Sequence, residues 1–574
     1  MSIRGNWDQR RVERVSRMGE IDRRKFVALT GASAAALIFG YGPSTEKVWA
    51  RPAFSGYPFR LGVASGDPEP DGVVLWTRLA PEPLADNGFG GMPKDRGVEV
   101  RWEVATDENF RRRVRGGRTI ARPRLGHSVH VEVGGLLPGR EYFYRFRAGD
   151  ATSPVGRTKT APALGSSPAE MSFAFVSCQQ YEHGYFTAYR RLAEEDLDLV
   201  VHLGDYIYEY APNEYRAPGG NVRVHEGGEI TTLAAYRRRH AQYHSDRDLR
   251  AAHAAFPFVV TWDDHEVENN YADEIPEAGQ SPEAFLRRRA AAYQAYYENM
   301  PLRRRSVPSG PDMLLYRRLT YGDLAEFNVL DTRQYRDDQA AGDGTDPPNA
   351  EQQDPGRTLT GEEQERWLLD GLAASGATWN VLAQQVFFAQ RDFQIGAGQR
   401  FSMDAWDGYI GSRDRISNFI RGRDVPNPVV LTGDVHNNWA CDLKADYDDQ
   451  ASETFGVEFV GTSVTSGGDG ADTSPGQEAT VAENPHIKFF NGQRGYVRCT
   501  LTPETWRADY RVVPYVSQPG APVYTRASFV TQAGNPGLVP VSESPVQGTR
   551  SSAAAIESDV ERAEAQRKAD LERR

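Results

Sequence analysis

The sequence predicts a layered α/β core preceded by an N-terminal β-sandwich. Three patterns support this fold class: short alternating runs within residues 55–162, strands that alternate with helices within 168–514, and polar clusters that follow four apolar runs. Alternating runs separated by turn residues are typical of sandwiches, whereas strand–helix alternation is typical of a sheet covered by helices. We therefore predict a leader at 1–50, these two domains, and a C-terminal extension at 515–574.

The composition is that of a folded, water-soluble chain with more than one domain. The 574 residues carry 67 Lys+Arg and 79 Asp+Glu, a formal net charge of −12, and 39% of them are hydrophobic. Domains usually contain about 100–200 residues, so this length predicts several. The acidic balance argues against a nucleic acid as a specific partner, because its phosphates favour a basic surface. Three cysteines, Cys178, Cys441 and Cys499, are too few for a disulfide framework.

Residues 1–50 have the pattern of an export signal. Arg23 and Arg24 precede Phe26, and the stretch from Phe26 to Gly42 is uncharged and rich in small residues. A charged front followed by a short apolar centre is typical of a signal sequence. The arginine pair resembles a twin-arginine signal, which implies the twin-arginine export machinery as a partner and a secreted mature protein without an integral membrane anchor. An N-terminal membrane anchor, or an accidental arginine pair, is the alternative.

Residues 55–162 consist of short runs in which apolar and polar side chains alternate. Such runs occur at 98–104, 128–133 and 142–147. The segment from Leu136 to Tyr142, a Pro-Gly turn that leads to a tyrosine, resembles the corresponding feature of a fibronectin-like sandwich. No acid–base or metal-binding pattern occurs in this part of the sequence. We therefore predict a fibronectin-like β-sandwich domain that does not carry the chemistry.

Residues 168–514 contain apolar runs separated by helical patterns. Strands are predicted at 172–177, 197–203, 258–262, 326–330, 379–388 and 428–431, and helices at 187–196 and 282–297. Beyond about residue 515 the periodicity is lost, and Pro, Ser and Gly become common. The segment 552–574 carries charges of both signs around a narrow apolar stripe, which predicts either a docked capping helix or a solvated tail.

Polar clusters follow four of these predicted strands. The candidate site residues share this position: Cys178, Asp205, Tyr208, Asp264, His265, Asp434 and His436. Ligands of open α/β sheets bind beyond the carboxyl ends of the strands, so we expect these side chains to converge. Buried acids are costly when unpaired, and a bound cation removes that cost. A single cluster is weak support, since Cys178 alone is more often a small core residue than a ligand.

The order of these clusters resembles the metallophosphoesterase series, particularly its purple acid phosphatase branch. In that branch the first aspartate, here Asp205, bridges two metals. Three positions depart from the pattern, because Cys178 stands where that branch has a carboxylate, Asp264 where it has an asparagine, and Asp434 where it has a histidine. The resemblance implies a metallophosphoesterase-like catalytic domain at 168–514, with a metal site of unusual composition.

The donor types divide this site into two halves. The first half combines a thiol, a phenol, an imidazole and the bridging carboxylate: Cys178, Tyr208, His436 and Asp205. Anionic donors of this kind stabilise high charge, so this half suits Fe(III). The second half offers only carboxylates, Asp205, Asp264 and Asp434, and hard oxygen ligands suit calcium.

This combination resembles the PhoD-type alkaline phosphatase family, and the similarity extends over nearly the whole chain, including 331–336 and 459–466. The resemblance implies an exported phosphatase that uses Fe(III) and calcium on phosphomonoesters and often on phosphodiesters. It also implies a C-terminal segment that packs over the active site. We expect direct attack of a metal-bound hydroxide on the phosphate, with His265 donating a proton to the leaving group. The alternatives are a phospholipase D-like phosphodiesterase on the same metals and a non-catalytic surface protein with structural calcium.

Further residues are predicted to act around the metals. Arg333 is predicted to bind the substrate phosphate through its two-pronged guanidinium, with an ion pair to Asp331 or Asp337 as the alternative. Gln384 or Gln385 is predicted either to offer an amide oxygen to calcium or to form a hydrogen bond at the core edge. Outer hydrogen bonds usually orient metal ligands, and the residues expected to supply them are Glu266, Asn269 and Asn270. Asp263 is expected to be a cap, with a metal ligand as the alternative.

Overall fold

A computed structural model describes residues 47–49, 52–277, 279–473 and 475–544. The predicted capping helix within 552–574 lies outside these residues, as does the predicted export signal apart from 47–49. Among the described helices, none combines the length and apolarity needed to span a bilayer.

The strands of the described residues are, in chain order, β1 (Lys47–Trp49), β2 (Val63–Glu69), β3 (Gly72–Arg78), β4 (Arg96–Ala105), β5 (Arg113–Ala121), β6 (Ser128–Val133), β7 (Glu141–Ala148), β8 (Ala151–Thr152), β9 (Gly156–Lys159), β10 (Met171–Val176), β11 (Leu199–Leu203), β12 (Pro257–Thr261), β13 (Arg317–Tyr321), β14 (Ala325–Val329), β15 (Thr345–Asp346), β16 (Trp379–Ala383), β17 (Phe401–Ser402), β18 (Pro428–Thr432), β19 (Asn438–Lys444), β20 (Thr454–Val460), β21 (Ile487–Asn491), β22 (Arg494–Leu501), β23 (Thr505–Val513), β24 (Tyr524–Gln532) and β25 (Asn535–Glu543).

The α-helices are α1 (Thr187–Leu192), α2 (Leu233–His244), α3 (Arg247–Ala255), α4 (Pro282–Asn299), α5 (Gly361–Ala374), α6 (Ile410–Gly422) and α7 (Pro475–Glu483). Short 3₁₀ helices span Pro123–Leu125, Tyr181–His183, Arg304–Ser306, Ala340–Gly342 and Trp406–Tyr409.

The N-terminal strands form two layers, but one of these layers is part of the core. A six-stranded sheet contains β1, β4, β5, β7, β8 and β9. The strands β2, β3 and β6 belong instead to a ten-stranded sheet, in which β2 pairs in parallel with β12 of the core. Apolar side chains such as Val73, Val100 and Tyr144 form one buried cluster between the layers. The fibronectin-like sandwich is therefore not confirmed, since the alternation marks a buried face on each strand but does not specify the neighbouring strand.

The core contains two sheets packed face to face. The ten-stranded sheet has the order β25-β24-β23-β22-β10-β11-β12-β2-β3-β6, and the seven-stranded sheet has the order β13-β14-β16-β18-β20-β19-β21. Phe173 and Val201 of the first sheet share an apolar cluster with Phe327 and Leu431 of the second. Because successive side chains of a strand point to opposite faces, the outer faces are also apolar and need cover.

Helices cover both outer faces and confirm the predicted layered α/β core. Tyr236 of α2 and Leu249 of α3 cluster with Val200 of the ten-stranded sheet, whereas Leu368 of α5 clusters with Leu382 of the seven-stranded sheet. The helix predicted at 282–297 is present as α4, and its N-terminus is capped by Ser281, whose side chain accepts a hydrogen bond from the Ala284 amide.

The parallel strands of both sheets end at one common edge. β10, β11 and β12 are parallel to one another, as are β14, β16, β18 and β20. Ser177, directly after β10, forms an isolated parallel bridge with Ser463, which follows β20. The carboxyl ends of the two sheets therefore meet, and the residues that follow these strands are brought together.

The C-terminal extension differs from the expectation of lost periodicity. β24 and β25 add two strands to the ten-stranded sheet, and Phe529 of β24 is buried in the core cluster. β25 contains two prolines and is mostly exposed, as edge strands often are. Because of the prolines and the exposed side chains, β25 lacks the alternation of apolar and polar residues by which strands are predicted from sequence.

Candidate metal centre and active site

The predicted metal ligands come together at the common edge of the two sheets. Three groups of side chains have ligand atoms that all lie within 4.8 Å of one another: Cys178 with Asp205 and His436, Asp205 with Asp264 and His265, and Asp263 with Asp264 and Asp434. Asp205 is shared by the first two groups and Asp264 by the last two. Residues separated by more than 250 positions thus form a continuous cluster of potential metal ligands, from Cys178 to Asp434.

Tyr208 joins this cluster through its phenol oxygen. The hydroxyl donates a hydrogen bond to Asp205 Oδ2 at 2.7 Å and lies 3.2 Å from His436 Nε2. Ser466 Oγ donates to the same phenol oxygen at 2.7 Å and also accepts from the Gln180 amide at 3.1 Å. Ser466 belongs to the run 459–466, but the sequence argument gave it no role. Its hydrogen bonds fix the phenol beside the bridging carboxylate.

The backbone of several predicted ligands is left-handed. The φ angles are +57° at Cys178, +57° at Asp205, +61° at Asp434 and +57° at His436. Few residues other than glycine adopt this conformation, and such strain concentrates at functional sites. Because the chain turns sharply as the preceding strand ends, side chains from different strands face one point.

Gly204 allows the turn that carries Asp205. Its φ is +110°, and a Cβ atom at this position would lie 2.6 Å from the backbone nitrogen of Asp263. Glycine is thus required both by conformation and by the close approach of the next strand end. Glu266 completes the arrangement by accepting hydrogen bonds from the Asp205 amide at 3.2 Å and the Asp263 amide at 2.8 Å.

The electrostatics of the cluster are those of crowded acids. Burial raises the pKa of Asp263 and of Asp264, and neighbouring carboxylates add to this effect, Asp264 acting on Asp263 and Asp205 acting on Asp264. Burial, followed by the charge of Asp404, raises the pKa of Asp434 to about 7. Burial also opposes the charged form of Asp205, yet the charges of His265 and His436 hold its pKa well below the usual range. A bound cation would relieve the repulsion among these carboxylates.

Two buried carboxylate oxygens support a metal at this place. Asp205 Oδ1 and Asp263 Oδ2 have no hydrogen-bond partner among the described residues, although both are buried. Buried acceptors are normally satisfied, so these atoms are suited to coordinate a cation. Burial, and to a smaller extent the charge of Asp205, raises the pKa of the Cys178 thiol well above its usual range. A bound metal would favour the thiolate. The donor set therefore fits bound metal.

His265 is held next to the cluster by Glu209. Its Nδ1 lies 2.8 Å from Glu209 Oε2, its Nε2 lies 3.9 Å from Asp264 Oδ2, and its ring stacks on Tyr208 with centroids 4.2 Å apart. The Asn269 amide donates to the other oxygen of Glu209 at 2.8 Å. Glu209 directly follows Tyr208, but no spacing rule links it to His265, so the sequence argument assigned it no role.

Arg333 is buried behind the acids. Its Nε donates to Asp263 Oδ1 at 2.5 Å, and its two terminal nitrogens donate to the two oxygens of Asp404 at 2.8 Å each. Neither Asp331 nor Asp337 is its ion-pair partner. Direct contact of Arg333 with phosphate stays a prediction, whereas the observed contacts describe a positioning role. Asp404 follows no predicted strand, and the sequence therefore contained no signal for it.

The remaining candidates act through hydrogen bonds. Gln384 Oε1 accepts from Trp406 Nε1 at 2.9 Å, and Gln385 Oε1 accepts from Thr332 Oγ1 at 2.7 Å, which corresponds to the core-edge alternative. The Asn270 amide donates to Asp264 Oδ2 at 2.8 Å. The expected capping role of Asp263 is wrong, because this carboxylate pairs with Arg333 and belongs to the third ligand group described above.

Comparisons with known proteins match both regions of the chain. The family model described as PhoD-like phosphatase matches residues 173–510, and the model described as PhoD-like phosphatase, N-terminal domain, matches residues 44–162. Alkaline phosphatase D of Bacillus subtilis (strain 168) is 59% identical over 556 residues, which are 96% of this chain and 95% of that protein. A solved structure described as "Structure of PhoD" is 60% identical with a TM-score of 0.87, and the match covers 91% of this chain and 99% of that one.

Proposed function

The chain belongs to the PhoD-like phosphatase family and is a phosphoric ester hydrolase, and from this premise we propose that it hydrolyses phosphomonoesters and phosphodiesters at an Fe(III)/calcium centre. The observation that carries the proposal is the convergence of the Cys178 thiol, the Tyr208 phenol and the His436 imidazole around Asp205, whose Oδ1 has no partner among the described residues. Thiolate and phenolate are anionic donors that stabilise a trivalent ion, so this half would hold Fe(III).

The other half of the site would hold calcium. Asp264 and Asp434 share a ligand group that does not include Cys178, and Asp205, which is grouped with Asp264, connects it to the iron half. Carboxylate oxygens are the ligands that calcium prefers. Asp263 belongs to the same acidic group, which favours the ligand alternative for this residue.

The chain contributes a proton donor and the means to hold it. A bound metal pair supplies a water of lowered pKa and binds the phosphate oxygens. Glu209 engages Nδ1 of His265, so Nε2 is the nitrogen available for proton transfer. We assign His265 the donation of a proton to the leaving-group oxygen, and Glu209 the positioning of the imidazole. Arg333 would act through Asp263 and Asp404, which it holds in place.

Secretion through the twin-arginine route is part of the same proposal. The sequence around Arg23 and Arg24 supports it, and this route carries proteins that are already folded. The three cysteines are buried and unpaired in the structure, which is compatible with folding and metal loading before export. No contact among the described residues favours the phospholipase D-like alternative.

Metal analysis of the purified protein, combined with its absorption spectrum, tests the proposed centre. We expect iron and calcium, and a visible band from tyrosinate bound to Fe(III). Tyr208→Phe should remove this band, whereas Tyr185→Phe, a change of the same kind outside the site, should leave it unchanged. Calcium chelation should abolish hydrolysis. A colourless protein with stoichiometric zinc would contradict the proposal.

A further inference from the structure

Arg391 is a buried arginine whose guanidinium forms no ion pair among the described residues. The residue is 5% exposed, and its Nε is buried without a hydrogen-bond partner. The other buried arginines differ, since each forms at least one side-chain hydrogen bond, as Arg333 does with Asp404 and Arg413 with Asp407. A buried charge is costly without a partner, so an unpaired guanidinium requires an explanation.

The carboxylate of Asp407, which contacts the Arg391 backbone, is occupied by other donors. Asp407 Oδ1 accepts from the Arg413 guanidinium at 2.5 Å, and Asp407 Oδ2 accepts from the backbone amide of Arg391 at 2.9 Å. Asp407 thus fixes the Arg391 backbone but forms no ion pair with its side chain. Burial lowers the pKa of the Arg391 guanidinium, although arginine stays charged at neutral pH.

Aromatic rings hold the Arg391 side chain in place. Its Cζ lies 4.4 Å from the ring centre of Phe387, 4.6 Å from that of Phe393 and 5.5 Å from that of Trp439. Cation–π contacts stabilise a guanidinium but leave its donors free for an anion. The loop is also fixed next to Arg391, where the Asp392 amide donates to Asn484 Oδ1 at 2.9 Å. The guanidinium is therefore pre-organised.

The position of Arg391 relates it to the proposed metal centre. Its loop follows β16, which pairs in parallel with β18, and β18 is followed by Asp434. The charges of Asp407, Asp434 and Glu458 all act on the Arg391 guanidinium, and Trp439, whose ring it contacts, lies three residues beyond His436. Among these carboxylates, Asp434 belongs to the ligand cluster and is only partly buried.

We propose that Arg391 binds a non-bridging oxygen of the substrate phosphate and makes the enzyme favour phosphomonoesters over phosphodiesters. This inference rests on the proposed function. A phosphomonoester carries a charge of about −2 above pH 6, whereas a diester carries −1. Coulomb energy is proportional to charge, so the guanidinium stabilises the monoester about twice as strongly.

The test compares Arg391→Gln with the unchanged enzyme on a monoester and a diester that share one leaving group. Removing a hydrogen bond to a charged group should lower kcat/KM on the monoester by about 10- to 100-fold. Because the diester carries half the charge, half of that free energy is lost, and its kcat/KM should fall by only about 3- to 10-fold. Arg391→Lys, which keeps the charge, should recover part of the monoester rate. Arg400→Gln, an exposed change in the same loop, is the matched control and should alter neither rate.

Binding of inorganic phosphate, measured by calorimetry on the metal-loaded protein, provides a readout independent of turnover. We expect its Kd to rise about 10- to 100-fold in Arg391→Gln, with iron and calcium content unchanged. Equal losses on both esters, unchanged phosphate affinity, or reduced metal content would overturn the inference. If Arg391→Gln does not fold, Arg391→Lys decides between the two roles. The inference expects a reduced monoester preference and weaker phosphate binding in Arg391→Lys, whereas unchanged values would assign Arg391 a structural role. Failure of the unchanged enzyme to hydrolyse any phosphate ester would instead contradict the proposed function.

Discussion

His265 differs from a buried histidine such as His240 because several carboxylates surround it. Burial favours the neutral imidazole, but Asp264, Glu209 and Asp205 raise the pKa of His265 well above its ordinary value. His240 is also buried, has no hydrogen-bond partner among the described residues, and its pKa falls to about 3. The surroundings therefore separate a histidine suited to proton transfer from one suited to packing.

Replacing His265 with alanine should affect poor leaving groups most. We expect turnover of an alkyl phosphate to fall by about 10²- to 10⁴-fold, because a positioned general acid contributes about that much. An activated aryl phosphate, whose leaving group needs no proton, should lose far less. Glu209→Gln, which keeps a hydrogen-bond partner for Nδ1, should show a smaller loss with the same leaving-group trend. Equal losses on alkyl and aryl esters would remove His265 from the acid role.

Sequence patterns predict metal-ligand candidates better than the residues that orient them. Each candidate, such as Cys178 or Asp434, directly follows an apolar run, and the structure brings these residues together. Glu209, Asp404 and Ser466 act through contacts between distant segments, for example the hydrogen bond from Ser466 to Tyr208. Such partners have no fixed spacing from the residues they hold, so local sequence contains no signal for them.

At the scale of elements, the site depends on how strands end. Two residues after the ends of β10 and β11 come Cys178 and Asp205, each with a left-handed backbone. Hydrogen bonds hold the two turns together, from the Cys178 amide to Gly204 O and from the Gln179 amide to Asp205 O, each at 3.0 Å. The turns are thus held by their neighbours as well as by their own sequence.

Gly204→Ala should disrupt this arrangement. A Cβ at Gly204 would lie 2.6 Å from the Asp263 nitrogen, in a backbone conformation that alanine disfavours. We expect a loss of about 1–3 kcal/mol or more in the free energy of unfolding, together with loss of metal and activity. Gly422→Ala is the matched control, because nothing lies within 4 Å of its added methyl group. Urea unfolding and metal analysis would check both variants, and a stable, metal-loaded Gly204→Ala protein would refute the argument.

The sequence predicted which segments form strands better than it predicted which strands pair. The run at 128–133 is a strand with those bounds, but alternation could not show that β6 and its neighbour β3 extend the core sheet. β24 was missed because its neighbours along the chain are rich in Pro, Ser and Gly, although Phe529 packs 5.6 Å from the ring of Phe489 in the core. Both cases depend on partners that are distant in sequence.

Across the whole molecule, several histidines are buried in the neutral form. Burial lowers the pKa of His240 and of His253 to about 3, and that of the partly buried His130 to about 4. They lie in different elements, His130 in β6, His240 in α2 and His253 in α3. The groups that act on His240 are the cations Arg78 and Arg239, which oppose its protonation further.

These histidines should make the fold sensitive to acid as the pH falls below about 6.5. The unfolded chain takes up protons on them as the pH falls below about 6.5, whereas the folded chain does not until about pH 3 to 4. Their contribution to stability is therefore complete above pH 6.5 and lost progressively below it, at up to about 1.4 kcal/mol per pH unit for each group. Urea unfolding of His240→Phe between pH 8 and pH 4 should show that its free energy of unfolding falls less steeply than that of the unchanged protein. The difference in slope should equal the contribution of one histidine. At pH 8, where His240 is neutral in both the folded and the unfolded chain, the difference between the two proteins measures only the packing effect of the substitution. Identical slopes of the free energy of unfolding below pH 6 would show that His240 does not contribute to the acid sensitivity.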